Sequence, residues 1–424
     1  MSIFQNPTNL ALNQSLQFPV EVVPERMSTL YSAGIQTTSI TPINSNTAQQ
    51  NQNLIWNLPT GMNAPWIVSQ TCCLECDIEI TKTTATNGFK FKFPSQSAHA
   101  IINSLNISCG GQTIDDFPKD YNAWVNSLLC FSINNNYWNT DMGILEKAKI
   151  EFVDGNLTET VHVVLPLFSG FLQGIKHVPL PLMNQVQLNI GFASNNTTFF
   201  LNTTGVGGAA TDTASYTIRN PRLVYQQLDM GSDYNNMLKR GMQNQKFFNI
   251  PFISSDILSS VSTASPYQLN NNIKRSNVLS LLTTRVLTAD YNDQKVGSEC
   301  DFVRENATKI YYVTDGTTRP QLPNGIDSSE LAYYMLETTT ATWTDPAVCS
   351  LATTIAEYED LFYVTGVDLQ RSKTSSTNSY SGTPLTNLST NIEYVHFANV
   401  TNFTFIVHTK DCVILPDGSI TMSS

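Results

Sequence analysis

The sequence predicts an all-β protein built as two consecutive antiparallel β-sandwiches with a few short helices. Three observations carry that expectation. Short runs rich in β-branched and aromatic residues recur along all 424 residues, punctuated by Asn-Gly and Asp-Gly pairs. Amphipathic helical stripes are few and short. The runs also fall into two halves of similar plan, each with several strands, one amphipathic helix and then several more strands.

In chain order, residues 1–50 read as an arm: polar, interrupted by Pro7, Pro19, Pro24 and Pro42, and leading into the Asn/Gln-rich run 45–53. In 74–81, Cys76, Ile78 and Ile80 alternate with Asp77, Glu79 and Thr81. Asn87-Gly88 follows, and 89–93 reads Phe-Lys-Phe-Lys-Phe. The two runs are expected to form an antiparallel hairpin with one buried face. Asp154-Gly155 is expected to join 149–153 to 160–165. Asp315-Gly316 marks a hairpin after 310–314, and Asp417-Gly418 lies between 413–415 and 419–422. Further strand-like runs are 101–108, 186–192, 216–226, 247–253, 278–287, 361–369 and 403–408.

The clearest helix is 121–131. Tyr121, Trp124, Val125, Leu128 and Leu129 make one apolar stripe, and Asp120 suits its N-cap. A second helix is expected from Asp345 as N-cap and Pro346 as first residue, with a stripe of Val348, Leu351, Ala352 and Ile355. A third, 232–241, carries Tyr234, Met237 and Leu238. The break between halves falls near 228–245, which divides the chain into an arm (1–50), a first sandwich (51–230) and a second (231–424), with a linker helix at about 231–245. The polar stretches 195–215, 290–305, 317–329 and 372–388 read as long loops at sheet ends, where binding and inter-subunit contact tend to reside.

Composition narrows the function classes. Charged residues make up 13%, about half the usual share, and Asn, Thr and Ser supply the missing polarity. Neutral amides and hydroxyls lose less on desolvation than charges do, which suits flanks that neighbours will cover. The net charge is −11, and the only charged side chains in 1–50 are Glu21, Glu25 and Arg26. Such an arm cannot neutralise phosphates, so no direct nucleic-acid binding is expected. No apolar run is long enough for a membrane-spanning helix. The N-terminus lacks a basic region followed by an apolar block, so no signal peptide and a reducing environment are expected. All eight cysteines are expected to be free thiols. On a strand, Cys72 and Cys76 would share a face about 13 Å apart, too far to close on one metal.

Reactive constellations are sparse. The five histidines (His99, His162, His177, His396 and His408) show no metal-binding spacing. No Gly-x-Ser-x-Gly elbow occurs. Gly205, Gly207 and Gly208 lack the Lys-Ser/Thr tail of a phosphate loop. The acidic groups Asp115-Asp116 and Glu357/Glu359-Asp360 could in principle do glycosidase chemistry, but the first pair adjoins a helix start, where carboxylates favourably meet the dipole. No catalytic, cofactor-binding or metal site is therefore expected. Aromatic residues at Tyr31, Trp56, Trp66, Trp138 and Trp343 leave open an alternative reading as a carbohydrate- or receptor-binding spike.

Three segments carry a family resemblance. Residues 107–131 run strand, glycine turn, Ile-Asp-Asp and a short aromatic-bearing helix. In 164–192, a strand ends in Leu-Pro-Leu, and Val-Pro-Leu-Pro-Leu-Met then leads into another strand. Residues 220–229, NPRLVYQQLD, form a terminal strand. This order resembles the first jelly roll of double jelly-roll major capsid proteins, the group that includes adenovirus hexons and the coats of tailless phages and virophage-like elements. The resemblance covers about 74–229, and the second half matches in plan. It implies two β jelly rolls per chain and a homotrimer forming a six-sided, pseudo-hexameric capsomer in the shell of an icosahedral virion. It also implies neighbouring capsomers, penton and minor capsid proteins as partners, while the neutral, Pro-containing composition of the arm would let it clamp a neighbour or rest on an internal membrane.

Overall fold

The structure, a computed structural model, describes residues 34–83, 90–93, 97–132, 149–151, 157–173, 177–198, 200–201, 213–245, 247–291, 294, 302–340, 354–370, 382–395 and 399–423. The first half contributes β1 (Gly34–Ile40), β2 (Thr47–Gln49), β3 (Asn53–Asn57), β4 (Trp66–Ile67), β5 (Cys73–Lys82), β6 (Lys90–Lys92), β7 (Ile102–Cys109), β8 (Gln112–Phe117), β9 (Lys149–Glu151), β10 (Thr158–Pro166), β11 (Val186–Phe192), β12 (Phe200–Leu201) and β13 (Ala214–Asp229). One sheet has the order β1-β13-β5-β10, with β2 and β4 also on β13. A second has the order β3-β11-β7-β8, and β12-β6-β9 form a small third sheet. Counted along the chain, the main strands β1, β3, β5, β7, β8, β10, β11 and β13 lie 1-8-3-6 in one sheet and 2-7-4-5 in the other. This is the double Greek-key winding of a jelly roll.

The second half repeats it. Its strands are β14 (Phe248–Ser262), β15 (Tyr267–Leu287), β16 (Ala307–Thr314), β17 (Thr317–Arg319), β18 (Val364–Asp368), β19 (Thr383–Tyr394), β20 (Val400–Ile414) and β21 (Ile420–Ser423). β15 belongs to two sheets. Between Tyr267 and Val278 it pairs with β19, and from Val278 onward it pairs with β20 and β18. Counting its two segments separately, the order is again 1-8-3-6 (β14-β20-β15-β18) and 2-7-4-5 (β15-β19-β16-β17). Every pair of named strands is antiparallel. The helices recur in the same connection: Tyr121–Ser132 between β8 and β10, and Ser329–Thr340 with Ile355–Leu361 between β17 and β18.

Patterning explains the layers. β5 buries Leu74, Cys76, Ile78 and Ile80 and turns Glu75, Asp77 and Glu79 outward, the period of two that a half-buried strand requires. The opposing sheet supplies Leu105 and Ile107 from β7 and Leu188 and Ile190 from β11, and one continuous apolar cluster runs through both halves. The linker expected at about 231–245 is the helix Ser232–Gln245, which buries Tyr234, Leu238 and Met242.

Several local expectations fail for one reason: a jelly roll pairs strands that are distant in sequence, whereas turn dipeptides speak only for neighbours. Runs 74–81 and 89–93 do not pair with each other. β5 lies between β13 and β10, while β6 pairs with β9 and β12. β9 and β10, expected to be joined by Asp154-Gly155, sit in different sheets. Both turn dipeptides lie outside the described residues. Asp315-Gly316 does close a hairpin: Thr314 faces Thr317, and φ is 45° at Asp315 and 82° at Gly316, the primed turn that matches strand twist. Asp417-Gly418 likewise closes β20 onto β21.

The second expected helix falls mostly on residues outside the description, although Ile355–Leu361 contains its Ile355. The expected strand 361–369 shortens to Val364–Asp368, and β19 begins inside the expected loop 372–388. The helix Ser329–Thr340 was not anticipated. Within 1–50, β1 and β2 both pair with β13.

Candidate functional site

The most organised polar chemistry among the described residues lies along the seam between the two halves. Asp115, on β8, is 1% exposed. Its carboxylate accepts hydrogen bonds from Ser169 Oγ and from Ser254 Oγ of β14, both at 2.6 Å, and Lys410 Nζ of β20 stands 3.7 Å away. A buried charge is tolerated only when it is met in this way. The expectation that Asp115 and Asp116 serve a helix dipole is therefore corrected: both lie on a strand, and Asp116 accepts from Asn106 Nδ2.

Asp120 is corrected in the same sense. It precedes the helix Tyr121–Ser132 with φ 57°, but its carboxylate accepts from Ser259 Oγ at 2.6 Å and Tyr291 OH at 3.0 Å, both in the second half. Gln294, 2% exposed, accepts from Ala214 N and donates to the carbonyls of Ala214 and Asn195. Asn184 donates to the carbonyls of Asp417 and Gly418.

Ring contacts fill the spaces between these bonds. Phe171 meets Phe252, Trp124 meets Phe405 and Trp66 meets Phe248, with centroids 5.2–6.3 Å apart. At Gly170 the approach is closest, since an added Cβ would stand 1.5 Å from the Ile253 carbonyl oxygen. Sequence spacing could not reveal these partners, because each joins residues far apart in the chain. The one available signal was an acidic pair flanked by Ile114 and Phe117 on its strand.

The outward face of the first sheet carries a charge ladder. Arg219 donates to both carboxylate oxygens of Glu79 at 2.7 Å, and Arg222 donates to Glu75 at 2.9 Å. His162 sits 2.8 Å from Asp77, to which Asn220 Nδ2 also donates. The hydrogen bond with His162 leads the causes that hold the Asp77 carboxyl below its ordinary range, and that with Arg219 does the same for Glu79. Such side chains are half-exposed, so the pairs contribute little stability. They do leave the flank nearly neutral.

The remaining candidates take structural places. His99 is buried, bridges Ser97 Oγ and the Pro166 carbonyl, and is pushed down to about 4 by burial. His177 Nδ1 accepts from Ser69 N, and burial lowers its pKa. His408 is buried beside Asp256, while His396 lies outside the described residues. Glu359 is engaged by Arg304 and Ser329. Gly205, Gly207 and Gly208 lie outside the description.

Cys72, Cys73, Cys76, Cys109 and Cys412 are free thiols. Burial pushes Cys72 and Cys76 well up and Cys412 up to about 12, which suits apolar filling rather than reactivity. Trp56 and Trp66, offered as sugar-stacking platforms, are buried at 0% and 5% exposure. That removes them from the spike reading, and Tyr31, Trp138 and Trp343 lie outside the description. No group of three or more metal-ligating side chains occurs among the described residues, and no described helix is long and apolar enough to cross a membrane.

The two jelly rolls and their polar seam define a class, a double jelly roll, and solved structures share it. The major capsid protein of Faustovirus superposes with a TM-score of 0.64 at 8% identity, covering 97% of this chain and 94% of that one. A quasi-atomic model of the PBCV-1 virus capsid gives 0.57 at 12% identity, covering 93% and 97%. The mavirus major capsid protein gives 0.54 at 12% identity, covering 100% and 95%. No family model matches the sequence, and no curated protein matches it. The likeness resides in the fold and extends over nearly the whole of each chain.

Proposed function

We propose that the chain is the major capsid protein of an icosahedral virion, a structural and non-enzymatic subunit acting as a trimeric, pseudo-hexameric capsomer. The observation that carries this reading is the repeated strand order, 1-8-3-6 with 2-7-4-5 in both halves, in a chain that matches viral capsid proteins end to end. Two like sandwiches locked side by side, taken around a threefold axis, give six similar flanks for neighbours to meet.

Exposed apolar side chains at Ile35, Ile43, Tyr334 and Val395, each about 60% exposed, are surfaces for such neighbours to cover. The division into an arm, a first jelly roll and a second (231–424) belongs to the same proposal, with the first jelly roll beginning at β1, which pairs with β13, rather than at residue 51. So do penton and minor capsid partners, the arm's contact with a neighbour or an internal membrane, and the absence of direct nucleic-acid contact.

The test is the mass and outline of the purified protein. A particle of three times the 47.0 kDa chain mass, six-sided with threefold density by electron microscopy, is expected. A strictly monomeric species that assembles under no condition would overturn the reading. Saturable binding of one glycan by the isolated chain would favour the spike instead.

A further inference from the structure

Arg285, on β15, is 1% exposed, and its Nε, Nη1 and Nη2 have no hydrogen-bond partner among the described residues. Its guanidinium carbon lies 5.1 Å from the centroid of Tyr363 and 5.7 Å from that of Tyr394. The rings offset part of the charge but accept no strong hydrogen bond. The Tyr363 hydroxyl lies near enough for the guanidinium to favour its ionised form by charge and by a weak hydrogen-bonding contact, but the geometry falls short of a full hydrogen bond. Glu359, whose charge also reaches Tyr363, receives Arg304 and Ser329 on its Oε1 and makes no hydrogen bond to Arg285 among the described residues.

Directly across the ladder from Arg285 is Asn402 of β20, and facing residues project to one side of a sheet. Asn402 is 1% exposed as well. Its Oδ1 is taken by the Tyr394 hydroxyl at 3.3 Å, and its Nδ2 has no acceptor among the described residues. Two neighbouring buried side chains thus present only unmet N–H donors, and one of them carries a charge that cannot be shed by deprotonation. A charge in that position requires a counter-charge.

We propose that Arg285 and Asn402 form a buried site for one small monatomic anion, of chloride size, bounded by the Tyr363 and Tyr394 rings. The anion accepts from the guanidinium edge and from Asn402 Nδ2, and it enters as the second jelly roll closes.

The probe is bromide, used on the full chain. Crystals grown in sodium bromide are expected to show an anomalous peak in contact with Arg285 and Asn402. Thermal midpoints are expected to rise saturably with bromide above the value in sodium gluconate at equal ionic strength, and Arg285→Met is expected to lose that rise. Asn402→Leu serves as a second, charge-preserving variant with a weakened response. If Arg285→Met does not fold, the anomalous map of the unaltered protein decides. A map with only water or no density there at saturating bromide overturns the proposal, as does an equal bromide response in the folded variant.

Discussion

Asp115 illustrates how much of the architecture rests on single buried groups. Replacing it with Ala leaves the Ser169 and Ser254 hydroxyls and the largely buried Lys410 without their acceptor. About 3–5 kcal/mol should be lost, read as a lower denaturant midpoint in equilibrium unfolding. Two residues contribute separable parts of the response to acid. His99 titrates at about 4 in the fold because burial disfavours its cation, against about 6.5 in the unfolded chain. Its contribution is therefore complete above pH ~6.5 and disappears as pH falls toward 4, at up to roughly 1.4 kcal/mol per pH unit.

Asp256 follows at lower pH. Burial raises its carboxyl, but His408 and the paired guanidinium of Arg275 outweigh burial and hold it well below the usual range. Its contribution is complete above pH ~3.9 and is lost below that. Denaturant titrations across pH ~2–7 should show both windows, with His99→Gln reducing the upper and Asp256→Asn the lower. A profile unchanged by either variant would sink this account. None of these partnerships was legible in the sequence, where His99 and His408 read only as histidines without metal-binding spacing and Asp115 as one half of an acidic pair.

Elements were legible where one face is buried. β5 announces itself because Leu74, Cys76, Ile78 and Ile80 must point inward, and the helix Tyr121–Ser132 because its stripe packs on the seam. β1 was not legible: GIQTTSI is exposed along most of its length, so no alternation marks it, and its place comes from the backbone bonds to β13. Hairpin signals worked where the fold pairs neighbouring strands, at Asp315-Gly316 and Asp417-Gly418, and misled where it does not. Two substitutions test these elements. Gly316→Ala puts a side chain at φ 82° and should cost about 1–2 kcal/mol while leaving the rest of the sheet intact. Gly170→Ala places a methyl against the backbone of β14. It should cost about 3 kcal/mol or more and, unlike Gly316→Ala, should impair formation of the proposed trimer, measured by sedimentation.

At the scale of the molecule, composition and the two-part plan foretold two sandwiches, and the structure adds that both share one winding and a common core. The strand β1 redefines the test of the arm. Removing residues 1–33 should leave folded trimers and weaken shells, whereas removing 1–40 also strips β1 from β13 and should lower the thermal midpoint. Normal shells from the shorter deletion would refute the arm's proposed role. The two halves differ in one respect that bears on durability. In the second, both sheets are threaded by the single 21-residue strand β15, so slippage in one layer drags the other. In the first, β3 and β5 are separate strands with a connection between them, and each layer can unzip alone. Hydrogen exchange should accordingly reach β3 before the middle of β15, so that a shell of the proposed kind would, under strain, begin to come apart from its N-terminal sandwiches.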